Sequence, residues 1–186
     1  MKFEYELTGL GWADGIIEIN DQEHYFGISY STDGLGDFLN ALLKLNKYCV
    51  PDDELKTITS LEWESEPRGT SIIFKLIDDN LHIKIIGFED LSLRLNPKVK
   101  IETTCSYNEF LKVVIKEIDK FIKKYGIVGY RETWYEHDFP LSAFLKLKQY
   151  ILNLNKYPIQ MIESYLGDVL EKTDLQNDIQ LLMLEI

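Results

Sequence analysis

No stretch of this chain approaches the roughly 18–20 consecutive apolar residues that a membrane-spanning helix needs, and no membrane association is expected. The amino terminus, Met1-Lys2-Phe3-Glu4-Tyr5-Glu6, alternates apolar and charged residues. It therefore lacks the apolar centre of a secretory signal, and the expected location is the cytoplasm. Cysteine is scarce. Cys49 and Cys105 have neither C-x-x-C spacing nor a neighbouring histidine, which points to two reduced, mostly buried thiols. The three histidines, His24, His82 and His137, are far apart and no H-E-x-x-H occurs, so neither a metal nor a cofactor is expected. Gly9-x-Gly11 and Gly34-x-Gly36 lack the third glycine of a dinucleotide fingerprint, and neither a phosphate-binding P-loop nor a G-x-S-x-G elbow is present. Missing signatures weigh toward a binding role over an enzymatic one.

What the chain does contain is apolar and aromatic. Hydrophobic residues make up 45% of the 186 positions and aromatics 12%, enough to bury a core and to exclude disorder. The net charge of −11 is unevenly spread. Residues 1–40 hold Glu4, Glu6, Asp14, Glu18, Asp21, Glu23, Asp33 and Asp37 against Lys2 alone, a balance of −7, whereas residues 98–131 carry +4. An acidic protein repels phosphate backbones, so nucleic acid is not an expected partner. A basic protein partner is compatible with such a surface.

The order of patterns points to an α+β fold. Phe3, Tyr5 and Leu7 alternate with Glu4 and Glu6, the period of a strand with one wet face. A second strand is expected from Trp12 to Ile19, with Gly15 as a possible bulge, and Asn20-Asp21 turns the chain into a third carrying His24, Phe26, Ile28 and Tyr30. Leu35, Phe38, Leu39, Leu42 and Leu43 recur at helical spacing, and Val50-Pro51 marks the end of that helix. Strands are then expected over 58–64, 70–77, 81–88 and 98–105. Ser106 and Glu109 form a capping box at the head of a helix from Tyr107 to Tyr125, which Gly126 ends. The chain reads as irregular from there to Asp138. Further helices are expected from Pro140 and from Pro158, and residues 179–186 lean to helix. The whole is expected to form one domain, 1–186: a largely antiparallel meander of about six or seven strands, a long amphipathic helix packed on it, and a helical C-terminal region.

Two segments concentrate chemistry. Residues 130–138, Tyr-Arg-Glu-Thr-Trp-Tyr-Glu-His-Asp, bring aromatic, basic, acidic and imidazole groups together between two helices. Arg131, Glu136, His137 and Asp138 are candidates for an acid/base site, with Arg131 orienting an anionic group. In the bland alternative, Tyr and Trp anchor a connection whose charges are solvated. Glu62 and Glu64 flank Trp63 on a strand. Paired carboxylates can divide acid and base roles only if burial separates their pKa values, and Trp63 suits the core better, leaving the two Glu wet. As contacts for a partner, the candidates are Glu62, Glu64, Trp134, Tyr135 and Glu136, since exposed aromatics anchor interfaces.

The opening hairpins from Phe3 to Tyr30, the Trp63–Gly69 strand and turn and the Ser106–Gly126 helix together resemble small uncharacterised α+β proteins of bacteria. Some of those are immunity proteins that neutralise a toxin encoded by a neighbouring gene. The resemblance is architectural and implies no site residue. The leading expectation is a non-catalytic interaction domain, immunity-like, binding a basic protein through acidic surfaces. The alternatives are a hydrolase-type enzyme using the 130–138 loop, and a small-ligand binder with an aromatic-rich interior.

Overall fold

A computed structural model describes residues 1–135 and 137–186. The chain folds as α+β, and no described helix is long and apolar enough to cross a membrane. The first three strands, β1 (Lys2–Gly9), β2 (Trp12–Ile19) and β3 (Gln22–Ser29), form an antiparallel meander. Asn20 and Asp21 both adopt positive φ, 47° and 64°, the backbone that a two-residue hairpin requires. Gly15 is not a bulge: it pairs in register with Tyr5 and Phe26, and the ladder shifts instead between Leu7 and Gly9. A Cβ at Gly15 would lie 2.4 Å from the Phe26 ring and 2.0 Å from the Glu4 carbonyl oxygen. The glycine is there so that a ring can lie across the strand.

Helix α1 (Gly34–Leu43) begins at Asp33, whose carboxylate accepts from the Gly36 amide at 3.2 Å. It stops earlier than Pro51 suggests. The amides of Leu45 and Asn46 turn back to the carbonyls of Leu42 and Leu43, and the Asn46 side chain takes the Tyr48 amide at 2.9 Å. Side-chain capture of backbone groups by Asn competes with helix propagation. A second meander follows, β4 (Ile58–Ser65), β5 (Arg68–Ile77), β6 (Asn80–Phe88) and β7 (Lys98–Ser106), in sequential order. The seven strands of the meander region thus divide into sheets of three and four.

The two sheets share one core with the helices. Phe38 of α1 stacks on Phe3 with centroids 5.2 Å apart and meets Trp63 at 5.2 Å, and Phe26 of β3 lies 4.5 Å from Trp63. Trp63 is fully buried, and its indole N–H donates to the Gly34 carbonyl at 2.8 Å. The sheets are also joined through side chains. The Gln22 carboxamide accepts from the Glu102 amide at 2.8 Å and donates to the Glu102 carbonyl at 3.4 Å, while Asn20 donates to the Thr104 carbonyl at 3.0 Å.

Helix α2 (Tyr107–Tyr125) has the bounds that its periodicity predicts, with Ser106 Oγ accepting from the Glu109 amide and Gly126 closing it at φ 74°. Phe121 meets Tyr5 edge-on at 5.2 Å, and Phe110 packs near Phe74 at 6.0 Å. The segment expected to be irregular contains α3 (Ile127–Trp134), held by the buried pair Tyr130 and Trp134. One i,i+4 pair is too short a pattern to reveal a helix. Helix α4 (Leu141–Asn153) follows. In place of the helix expected from Pro158 there is a hairpin, β8 (Gln160–Glu163) with β9 (Val169–Lys172), and α5 (Leu175–Met183) then completes the C-terminal region.

Candidate functional site

The two chemically dense segments meet through the β3–α1 connection. Ser31 Oγ donates to Glu64 at 2.9 Å, the Trp134 indole donates to the Thr32 carbonyl at 3.3 Å, and His137 Nε2 lies 3.2 Å from the Tyr30 carbonyl. Tyr135 is exposed and packs edge-on against Tyr30, centroids 5.4 Å apart. The Gly11 amide ties the first hairpin to the same place by donating to the Thr133 carbonyl at 2.8 Å. Trp134 was expected among the exposed contacts and is instead wholly buried. Its ring stacks with Tyr130, so it anchors the connection and leaves Tyr135 as the aromatic at the surface. Glu62 and Glu64 lie on the wet side of β4, with Glu62 held by Arg94.

Arg131 Nε lies 3.9 Å from Asp138 Oδ1, and both side chains are open to solvent. Clefts of about 290–480 Å³ indent the surface, and five of them have no lining from Arg131, His137 or Asp138. Glu136 lies outside the described residues. The thiols are free, Cys49 buried and Cys105 half-buried. Burial pushes Cys49 up to about 12 and Cys105 up to about 11, so neither is a ready nucleophile near neutral pH.

The C-terminal arm, residues 154–186, carries many exposed apolar side chains. Strands β8 and β9 pair only with each other, and every residue in both is exposed. Met161 is 66% exposed, Val169 67%, and Tyr165 at the turn 95%. On α5, Leu175, Ile179 and Met183 recur at i, i+4 and i+8 and are all exposed, while Leu181 on another face is buried. A two-stranded hairpin is marginal by itself in water; its register sets Met161 and Val169 on one face and Ile162 and Leu170 on the other, and exposed apolar area on this scale marks interaction surfaces. Around the apolar residues, the segment 154–186 carries Glu163, Asp168, Glu171, Asp174, Asp178 and Glu185 against Lys156 and Lys172, a balance of −4.

The arm is fastened from beneath. Lys148 on α4 is fully buried and bonds the Asp119 carboxylate of α2, and its ammonium also donates to the carbonyls of Leu182 and Leu184. Lys123 donates to Asp119 Oδ2 at 2.8 Å and to the Leu184 carbonyl at 3.1 Å. Tyr157 donates to Asp178 at 2.6 Å, joining the hairpin's entry to α5. The sequence carries a turn signal for this hairpin. Ser164-Tyr165-Leu166-Gly167-Asp168 separates two apolar runs, with Gly167 at φ 86° and Ser164 Oγ accepting from the amides of Leu166 and Asp168.

A second distinctive surface is the outer face of the first sheet. Glu6 stands opposite Asp14 and Glu18 opposite Glu23, so like charges face each other across the ladder, an arrangement that destabilises a sheet. Lys124 and Tyr125 of α2 relieve one of these pairs by bonding Glu6, which holds its carboxyl below the usual range. Comparison with known protein families, with curated proteins and with solved structures yields no match to this chain.

Proposed function

We propose that this chain is a cytoplasmic protein-interaction domain, immunity-like in its role, that binds a basic protein partner through its apolar, acid-rimmed C-terminal arm. One observation carries the reading: no residue of β8 or β9 is buried, although Met161, Ile162, Val169 and Leu170 make up half of the two strands. Such residues are at home in the dehydrated centre of an interface with charge at its rim. The surrounding −4 balance selects a partner whose rim is positive. The opposed carboxylates on the first sheet strengthen that selection through long-range attraction.

The 130–138 and 62–64 cluster, with Tyr135 and Glu64 at its surface, serves as a secondary contact. An acid/base role for Arg131, His137 and Asp138 has less support, because their contacts are a solvated ion pair and a backbone carbonyl. The test is affinity purification with wild-type protein and with a Met161→Ser, Tyr165→Ser, Val169→Ser variant, in cells expressing the neighbouring genes. The reading expects a basic protein held by wild type in a salt-sensitive way and lost from the variant. Equal capture by both proteins, or a captured partner that is acidic, would overturn it.

A further inference from the structure

Three cations of this acidic chain converge on one cleft. Between β3 and the second sheet there is an opening of about 400 Å³, lined by Arg68 of β5 and by Lys98 and Lys100 of β7. Ligand pockets begin at roughly this size. Glu89 is the one carboxylate among the lining residues, and it is engaged by Asn96 at 2.7 Å and by Lys98 at 3.7 Å. Arg68 and Lys100 have no ion-pair partner among the described residues. Three cations set against one carboxylate leave this cleft positive in a molecule of net charge −11.

The backbone places Lys100 there. Ile85 pairs with Ile101 and Ile86 with Val99, so Lys100 is the extra residue of a bulge on β7. Bulges re-aim single side chains and are frequent beside functional sites. Gly87 makes room for the result: a Cβ at that position would lie 3.0 Å from Lys100 Cε. The lysine stem therefore lies across β6 with its ammonium delivered to the cleft. On the opposite wall His24 Nε2 sits 3.0 Å from Thr70 Oγ1. Burial, and then the nearby Lys100, bring His24 down from 6.5 to about 4, so near neutral pH its imidazole is an uncharged hydrogen-bonding group.

We propose that this cleft binds a small phosphorylated ligand, its phosphate held by Lys100, Arg68 and Lys98 with Thr70 and Ser65 as further hydroxyl donors. The net positive lining matches a dianion. Cations arriving from two strands, with hydroxyls between them, suit a tetrahedral oxyanion better than a planar, singly charged carboxylate. The remaining volume, bordered by Phe88 and Gly27, leaves space for the group that bears the phosphate. The site is separate from the C-terminal arm and does not depend on the protein-binding role.

Calorimetry on the full chain tests this, with inorganic pyrophosphate as probe and citrate at equal ionic strength as the competing anion. Lys100→Met keeps the aliphatic stem over Gly87 and removes the charge. It is expected to weaken pyrophosphate binding about tenfold or more while the unliganded Tm stays put. Lys75→Met, on an exposed position outside the cleft, is expected to change nothing. Should Lys100→Met fold poorly, Arg68→Gln provides the same comparison.

Nuclear magnetic resonance gives a second readout, because a bound anion favours the imidazolium and raises the His24 titration midpoint from about 4. Arg68, Lys98, Lys100 and Glu89 are the other charged groups lining this cleft. Absence of pyrophosphate binding, equal loss in Lys75→Met, or citrate binding as tightly as pyrophosphate would each overturn the proposal.

Discussion

Lys148 and Asp119 form an ion pair inside the protein, with the lysine fully buried and the aspartate 4% exposed. Burial pulls Lys148 below the ordinary lysine value, and the Asp119 carboxylate opposes that pull. The same ammonium donates to the Leu182 and Leu184 carbonyls, so the pair is also one of the ties between α4 and the end of α5.

Asp119→Asn leaves the Lys148 ammonium as an uncompensated buried charge and is expected to lower stability by about 3–5 kcal/mol, measured by urea denaturation. Lys148→Met is expected to cost less, because Lys123 still holds the Asp119 carboxylate at 2.8 Å. Lys148→Met also strips the two carbonyls of a donor, so proteolysis after α4 should quicken in that variant. A Lys148→Met, Asp119→Leu double variant should recover part of the loss, since neither charge then remains.

His24 gives a pH signature. Its folded pKa of about 4 lies below the ordinary histidine value of 6.5 that applies to the unfolded chain, so between those values the unfolded chain takes up a proton that the folded chain refuses. Stability from this residue is therefore full above about pH 6.5, falls as the pH drops toward about 4, and changes no further below that. His24→Gln should flatten this portion of a stability-against-pH curve. An unchanged slope would show that the carboxylates alone govern it.

Gly15→Ala tests the close approach of Phe26. The added methyl would sit 2.0 Å from the Glu4 carbonyl oxygen, which is backbone and cannot swing aside. A loss of about 3 kcal/mol or more is expected, the upper end of overpacking costs, with thermal denaturation as the measurement. Gly126→Ala should be separable from it, because a Cβ there meets nothing within 4 Å and only its φ of 74° opposes the change.

Tyr165→Ser combined with Val169→Thr removes exposed apolar area and no core contact. Stability should stay within about 0.5 kcal/mol of wild type, while binding of a hydrophobic dye should fall. A large loss of stability would show that the hairpin supports the fold instead of standing on it.

How far the sequence disclosed this depends on how long each pattern runs. Helix α2 was legible to the residue because ten apolar positions, a capping box and a closing glycine agree over 19 residues. The hairpins of the first sheet were legible from alternation and the Asn20-Asp21 turn. The C-terminal hairpin reads as a helix in sequence because Ile159, Ile162, Leu166, Val169 and Leu170 also satisfy a helical period. In four-residue strands with no buried face, alternation has no core to enforce it.

The candidate site was less legible for reasons of assembly. Glu64, Tyr135 and His137 come together only through the 30–32 turn, a relationship that spacing along the chain does not contain. Trp134 and Tyr135 are neighbours in sequence, yet only the fold decides that one is buried and the other exposed. The cleft at Lys100 depends on a single extra residue in a ladder, which leaves no mark in composition.

The Gln22 carboxamide on Glu102 has a consequence for how this protein behaves in a crowd. β7 is the last strand of its sheet, and its outward amide and carbonyl at Glu102 would be open to strand addition by another chain. Gln22 occupies both groups with the donor-acceptor pair that an incoming peptide would offer, and Asn20 takes the Thr104 carbonyl beside it. Two side chains, one from the hairpin turn and one from the first residue of β3, thus stand in for a fifth strand of that sheet, and these positions of its margin are closed to strand addition without a backbone segment being committed to it.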